Sequence, residues 1–312
     1  MSDLGSEGPG GPIVGVVPNF SEGRRRDVID EIVSALQVPG VLLVNVQWDT
    51  DHNRLDTTLL GTPDAVRASA LAGATAAVSL IDMTEHRGSH PRMGAVDVIP
   101  FMPVRDVTME ECVELARRAG RELAETLDLP VYLYDRAALV PDRRSLAVVR
   151  KGEYEGLRAA VAAGERLPDF GPAEIGRAGA VAVGARKPLV AFNVYLSGRD
   201  EAAAKDIARA LRESSGGLPA VRAIGFDVPE RQCVNVSMNL VDYEVTPPRR
   251  AFDALVELAA PKGMDVLSSE IVGLVPAAAL GPGDVDHLRL EGFDEEEQIL
   301  ENLVKRYDEV GT

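Results

Sequence analysis

The feature that most constrains this fold is a succession of strands and helices that the sequence pattern predicts twice. Apolar and alternating segments in the first half give the order β-α-β-β-α-β, ending in a strand over 96–104. The second half gives the same order between residues 181 and 274. This order is typical of ferredoxin-like domains. We therefore predict an α+β fold of two ferredoxin-like subdomains with a ligand cleft between them.

The predicted domain organisation follows from this repetition. Residues 1–12 are glycine-rich and acidic and contain no apolar core, so we expect a disordered lead-in there. The N-terminal subdomain is expected over 13–178 and the C-terminal subdomain over 179–312. In this division the strand pattern of residues 181–196, interrupted near its middle, opens the second subdomain.

Charge and composition limit the ligands that this chain can bind. Its 312 residues include 33 basic and 49 acidic side chains, a formal net charge of −16. Nucleic-acid binding depends on neutralising phosphates, so we expect no nucleic-acid partner. An anionic ligand would need a locally basic site within this acidic background. The sequence contains no apolar run of membrane-spanning length, so we also expect no membrane partner.

The two cysteines, Cys112 and Cys233, indicate a reduced compartment and no thiol chemistry. They make neither a disulfide framework nor a thiolate metal cluster, which favours a cytoplasmic location. Cys112 lies on the apolar stripe of a predicted helix, where a thiol behaves as a small hydrophobic group. Cys233 is a lone cysteine on a predicted strand, a position that is usually structural.

The strongest candidate for chemistry is the loop that precedes the strand over 96–104. It carries His86 and His90, and its glycines and prolines stop both helix and strand. The spacing of four residues resembles that of zinc-binding helices, but the helix is broken here and no third ligand is evident. We therefore expect no metal. An acid/base histidine in a basic loop remains as the functional interpretation, with an ordinary solvated turn as the alternative.

A polar row on one predicted strand of the second half offers a second clue. Asn235, Ser237 and Asn239 alternate with apolar residues from 232 to 240. In a ferredoxin-like sheet with helices on one face, such a row meets solvent, a partner or a ligand. We predict that this face lines or adjoins the ligand cavity.

A series of short motifs, in the same order as in the family, resembles glutamate formimidoyltransferase. This enzyme also forms the first part of a bifunctional protein with a cyclodeaminase. The motifs are VPNFSEG (17–23), NR (53–54), IDM (81–83), HRGSHPRMGAVDVIPF (86–101), VYLY (131–134), RKGEYEGL (150–157), PDFGP (168–172), GAR (184–186), AFN (191–193), SMNLVDYEVTP (237–247) and EIVGLVP (270–276). No cyclodeaminase segment follows, so we expect the transferase activity alone.

This resemblance implies a reaction and its participants. A formimidoyl group passes from N-formimidoyl-L-glutamate to tetrahydrofolate, giving 5-formimidoyltetrahydrofolate and glutamate, as in histidine degradation. Tetrahydrofolate is then a co-substrate, and the family's members resemble homodimers. No covalent intermediate is required, because one group that titrates near neutrality can take a proton from one nitrogen and give it to the departing amine.

The resemblance also implies the site residues. His90, in HPRMG, matches the family's catalytic histidine, and Arg212 matches an arginine near the folate. Asn53, Arg54 and Arg92 lie in matching motifs and are expected at the substrates. The matching folate-binding loop, here named the 171–179 loop, comprises Gly171, Pro172, Ala173, Glu174, Ile175, Gly176, Arg177, Ala178 and Gly179.

Two departures from the family pattern leave alternatives open. An Asp-x-Asp pattern at the end of the second strand is replaced by Asn45-Val46-Gln47, for which Asp49 or Asp51 could compensate. Bulky residues of the folate loop are replaced by Arg177 and Ala178. One alternative is formyl transfer between 5-formyltetrahydrofolate and glutamate. The other is a folate-binding protein without catalytic activity.

Substrate charge gives one further expectation. Both substrates carry carboxylates, and an acidic protein must bind them through arginines gathered in one concavity. We predict that Arg92, Arg186 and Arg212 form that group, drawn from both halves of the chain.

Overall fold

The computed structural model describes residues 10–310, which form two units with one β-sheet each. Unit 1 comprises the chain up to Arg186 together with the chain from Tyr307 on, and unit 2 is Lys187–Arg306. The first nine residues of the predicted lead-in lie outside the described part. A mixed α/β chain with two sheets is thus confirmed. Within residues 10–310 no helix has the length and apolar character needed to cross a membrane.

Unit 1 contains the larger sheet and five of the helices. Its strands are β1 (Ile13–Val16), β2 (Asn19–Phe20), β3 (Val41–Asp49), β4 (Arg54–Gly61), β5 (Val96–Arg105), β6 (Val131–Asp135) and β7 (Val181–Ala185). Its helices are α1 (Arg26–Leu36), α2 (Pro63–Leu80), α3 (Met109–Leu127), α4 (Leu146–Val149) and α5 (Glu153–Ala162).

Unit 2 contains the remaining elements. Its strands are β8 (Val190–Leu196), β9 (Val221–Val228), β10 (Cys233–Leu240) and β11 (Val266–Val272). Its helices are α6 (Glu201–Leu211), α7 (Pro248–Ala259), α8 (Asp284–His287) and α9 (Glu295–Gln298). The last helix, α10 (Leu300–Val310), begins in unit 2, and its final residues belong to unit 1.

The sheet of unit 1 has seven strands and mixed direction. β1 and β2, separated by Val17-Pro18, share one place in the sheet, because both pair antiparallel with β4 on one side and β5 on the other. β3 extends this antiparallel part beyond β4. On the other side β7 pairs in parallel with both β5 and β6.

The place of β7 differs from the predicted division of the chain. All five of its residues are buried, as is typical of a strand inside a parallel sheet. Ala182 lies opposite Val98 and Ala185 opposite Phe101, so the strand belongs to unit 1. The pattern over 181–196 is therefore two strands in two sheets, and the units divide after Arg186 instead of at residue 178.

Local sequence signals explain the helices of unit 1. α2 begins after Thr62, whose hydroxyl accepts from the Ala65 amide, with Pro63 at the first helical position. α3 begins with a capping box, in which Thr108 and Glu111 satisfy each other's backbone N–H groups. Their apolar stripes join one buried core with the sheet.

Unit 2 has its own core and a strand order of β11-β8-β10-β9, with every pair antiparallel. A Cβ at Gly225 would lie 2.4 Å from an α6 backbone atom, so that face of the sheet packs against α6. The opposite face carries Ser237, which is half-buried, and Asn239, which is exposed, while Asn235 beside them is buried. That this face adjoins a ligand stays a prediction, as do the ferredoxin-like class and the cleft.

Candidate functional site

The loop between α2 and β5, called here the His90 loop, is held against the 171–179 loop by backbone hydrogen bonds. Met83 N–H donates to Arg177 O, and Ala95 N–H donates to Ala178 O, each at 2.8 Å. A bridge between Gly94 and Gly179 continues this contact. The structure thus brings the predicted catalytic loop and the predicted folate loop together within unit 1.

The turn between β3 and β4 approaches the His90 loop from another side. Ser89 N–H donates to Asp51 O at 3.1 Å. A Cβ at Gly88 would lie 2.1 Å from the His52 carbonyl oxygen, so this approach requires glycine. As a result, the rings of His52 and His90 meet edge to face with their centroids 5.9 Å apart.

His90 is half-buried and has a defined tautomer. Its Nδ1 lies 2.7 Å from the Pro91 carbonyl oxygen. That oxygen only accepts hydrogen bonds, so in the neutral ring Nδ1 carries the proton and Nε2 keeps its lone pair. Burial, followed by the charges of Arg54 and Arg150, lowers the pKa of His90 from 6.5 to about 4. At neutral pH Nε2 of His90 is therefore a free base, and in the ligand-free protein its pKa lies below the near-neutral value expected from the sequence.

The two arginines that act on His90 belong to a buried cluster centred on Asp97. One oxygen of Asp97 accepts from Arg54 Nη1 at 2.8 Å and also from Arg150 Nη2. The other oxygen accepts from the Met93 amide at 2.9 Å. The Asp97 side chain is fully buried, and those of Arg54 and Arg150 are 6% and 14% exposed. Burial opposes the carboxylate charge, but Arg150 and then Arg54 outweigh it and hold the pKa of Asp97 below its usual value.

Arg92 has the opposite surroundings. Its guanidinium donates to Glu153 at 2.7 Å and to both oxygens of Glu155 at 2.8 and 2.9 Å. Its Nε also points to Nδ1 of His86 at 3.4 Å. The charge of Arg92 is balanced by protein carboxylates, which weakens the prediction that it binds a substrate carboxylate.

Known protein families agree with the motifs. The formiminotransferase domain, N-terminal subdomain, matches residues 13–186, and the formiminotransferase domain matches residues 191–305. This chain belongs to the formiminotransferase family.

This assignment is supported by relatives of similar length and by a relative about twice as long as this chain. The glutamate formimidoyltransferase of Thermoplasma acidophilum is 44% identical over 94% of this chain and 98% of its own length. That of Streptococcus pyogenes serotype M1 is 42% identical, over 93% of this chain and 98% of its own length. The formimidoyltransferase-cyclodeaminase of Mus musculus is 45% identical over 86% of this chain, which spans 51% of that protein.

Asn53 joins the loops through both ends of its side-chain amide. Its Oδ1 accepts from the Gly23 amide at 2.9 Å, and its Nδ2 donates to Arg87 O at 3.0 Å. Its carbonyl oxygen lies 3.1 Å from Nε2 of His86. These bonds indicate that Asn53 and His86 position the loops. Direct contact of Asn53 with substrate stays a prediction.

The 171–179 loop is mostly exposed but anchored at several points. Ile175 is buried, the Tyr154 hydroxyl donates to Gly176 O at 3.2 Å, and Arg177 donates to Ser79 O at 3.0 Å. The exposed members are Gly171, Ala173, Glu174, Gly176 and Arg177. These residues have the access that a ligand contact needs, and a role in folate binding stays a prediction.

The predicted group of three arginines is divided between the units. Arg92 and Arg186 belong to unit 1, where Arg186 Nη1 donates to the Met102 sulfur at 3.3 Å. Arg212 follows α6 in unit 2 and donates to the Ser215 hydroxyl at 2.8 Å. That the three share one site stays a prediction.

The proposed compensation for the Asp-x-Asp departure also stays a prediction. Asp49 accepts from the backbone amides of Asp51 and His52 at 2.9 and 2.6 Å, and its oxygen lies 3.6 Å from the His52 ring. Its carboxylate therefore organises the turn that carries His52 towards His90.

Asp97 and Arg150 are site residues that the sequence reasoning missed, although both lie in quoted motifs. The signal was a single carboxylate in the apolar strand VDVIPF, where burial requires a cationic partner. Arg150 could not be assigned as that partner, because α3, β6 and α4 separate the two residues along the chain.

Other candidates do not join this site. Burial raises the pKa of the Cys112 thiol to about 12, and burial also raises the pKa of Cys233. Among residues 10–310 no group of three or more His, Cys, Asp or Glu could hold a metal ion. A groove of about 730 Å³ in unit 1 is lined mainly by α3, beyond the end of β5 that is far from the His90 loop.

Proposed function

We propose that this protein transfers the formimidoyl group of N-formimidoyl-L-glutamate to nitrogen 5 of tetrahydrofolate, giving 5-formimidoyltetrahydrofolate and glutamate. Membership of the formiminotransferase family and relatives named glutamate formimidoyltransferase over nearly their whole length support this reaction. The reaction belongs to histidine degradation.

Within this proposal His90 carries the proton, and its hydrogen bond to Pro91 O is the observation on which that role rests. Nitrogen 5 of tetrahydrofolate attacks the amidine carbon, which gives a tetrahedral intermediate with a proton to lose. Nε2 of His90 takes that proton. The imidazolium so formed then returns the proton to the glutamate nitrogen as the carbon–nitrogen bond breaks.

The proposal extends to the ligand-binding segments and the assembly. We place the 171–179 loop at the folate, since backbone hydrogen bonds hold it beside the His90 loop. The element order and the antiparallel order β11-β8-β10-β9 support a ferredoxin-like class for unit 2. By resemblance to the family we also propose a homodimer in the cytoplasm, with a cleft between the subdomains as the ligand site.

One assay separates this function from its alternatives. The purified protein is mixed with tetrahydrofolate and N-formimidoyl-L-glutamate, and the absorbance of the folate product is followed. Turnover with this donor supports the proposal. Turnover only in the mixture of 5-formyltetrahydrofolate and glutamate would replace it by formyl transfer, and folate binding without turnover in either mixture would indicate a non-catalytic protein.

A further inference from the structure

The cluster beside His90 holds more positive than negative charge. Arg54 and Arg150 share the single carboxylate of Asp97. A second carboxylate, Asp56, lies 3.5 Å from Arg54 Nε, but its side chain is 45% exposed and water screens it. Among the described residues no other carboxylate pairs with Arg150. A buried cation without a full partner is costly, so this excess needs an anion.

Arg150 also has an unused donor. Its Nε is buried and has no hydrogen-bond partner within residues 10–310. Buried donors are normally satisfied, so this exception needs an explanation, and an absent anion is one that also answers the excess of positive charge. The guanidinium fork suits a carboxylate, because its N–H groups match the two oxygens.

We propose that the excess charge of Arg54 and Arg150 binds the α-carboxylate of N-formimidoyl-L-glutamate, and that this carboxylate makes His90 a stronger base in the complex than in the free enzyme. The inference rests on the proposed function. It names the α-carboxylate because this group is attached to the carbon next to the reacting nitrogen. A histidine that reaches that nitrogen must have the α-carboxylate close by.

The groups around His90 make the direction of the change clear. Arg54 from β4 and Arg150 after α4 disfavour its protonation, while Asp97 from β5 and the Pro91 carbonyl favour it. The His52 ring contacts it edge-on. A bound carboxylate adds negative charge to this set, so it offsets the two arginines and favours protonation of His90.

The test follows the His90 ring by NMR while pH is varied, with N-acetyl-L-glutamate as an inert probe. This probe keeps both carboxylates and cannot donate a formimidoyl group. At saturation we expect the titration midpoint of His90 to rise by about one pH unit or more. The matched control is the α-amide of the same compound, N-acetyl-isoglutamine, which should leave the midpoint unchanged. N-acetyl-glutamine, which keeps the α-carboxylate, should act like the probe.

Variants test the arginine directly. Arg150→Met should abolish the rise, Arg150→Lys should restore part of it, and Arg158→Met, at an exposed position of α5, should behave as wild type. An unchanged midpoint with N-acetyl-L-glutamate up to its solubility limit overturns the inference. So does an equal rise with the α-amide, a comparison that needs no variant to fold.

The titration is independent of turnover. A protein that shows the rise but no transfer retains the carboxylate site and loses the proposed function. A protein that transfers the group without the rise retains the function and loses this inference.

Discussion

Unit 1 has two places where arginines and carboxylates meet beside a histidine, and their charge ratios are opposite. Next to His86, one guanidinium, that of Arg92, is held by two carboxylates. Next to His90, two guanidiniums share the buried carboxylate of Asp97. The arginines of both clusters lie within motifs that resemble the family, so position in a motif alone does not distinguish the two clusters.

The difference separates arginines that hold the fold from arginines that can bind a ligand. Arg92 has its charge neutralised and its donors occupied, and its removal would leave a gap in a network that joins the His90 loop to α5. Arg54 and Arg150 retain charge that the protein does not neutralise. Burial lowers the pKa of both histidines. For His90 the charges of Arg54 and Arg150 lower it further, whereas for His86 the hydrogen bond to Asn53 opposes burial.

The largest expected effect distinguishes the two histidines. His90→Ala should keep the fold and folate binding but lower turnover by about a hundredfold to ten-thousandfold, the usual contribution of a general acid/base. His86→Ala should instead lower the free energy of unfolding by about 1–3 kcal/mol, because it leaves buried partners unpaired. Steady-state kinetics and chemical denaturation measure the two effects. Near-normal turnover in a folded His90→Ala protein would contradict the role of His90.

A smaller effect is expected from the arginine that is already neutralised. Arg92→Met should lower the free energy of unfolding by about 1–3 kcal/mol, because it leaves two carboxylates without their partner. The Michaelis constant of the folded variant should stay close to that of the wild type. The control, Arg158→Met, should change stability by less than about 0.5 kcal/mol. If Arg92→Met raised the Michaelis constant strongly without loss of stability, the arginine would bind substrate and the comparison would fail.

The smallest expected effect concerns the titration of His90 in the ligand-free protein. His90 should stay neutral until pH falls to about 4, whereas an ordinary histidine with a pKa of 6.5 would be largely charged by about pH 5.5. The unfolded chain then binds more protons than the folded one as pH falls from 6.5 to about 4, so the free energy of unfolding decreases through that window. NMR of the His90 ring and denaturation at several pH values measure both, and a midpoint near 6.5 would contradict the cationic surroundings.

Much of the fold could be predicted from the sequence because its signals are local. The capping box at Thr108 and the proline after Thr62 each act within four residues, and the structure has both helix starts. The place of β7 could not be predicted in this way. Its partners β5 and β6 are chosen by parallel pairing over long separations, and an apolar run does not say which sheet it joins.

The candidate site likewise has features that the sequence predicts and features that depend on long-range contacts. His90 and the 171–179 loop could be named from motifs, and backbone contacts place these two segments together. The charge ratio could not be read from the sequence. Arg92 is a motif residue like Arg54. Only the ion pairs with Glu153 and Glu155 of α5 show that the charge of Arg92 is neutralised within the protein.

The contact between the His90 loop and the 171–179 loop has an evolutionary consequence. Main-chain atoms make it, so most side chains in these segments can change without moving the His90 ring, as Arg177 and Ala178 illustrate. Gly94 and Gly179 are the exceptions, since a Cβ at either would lie within 2.5 Å of the opposite backbone. Length is also constrained: one inserted residue would displace the register by about 3.3 Å. Homologous chains should therefore tolerate substitution here far more readily than insertion or deletion.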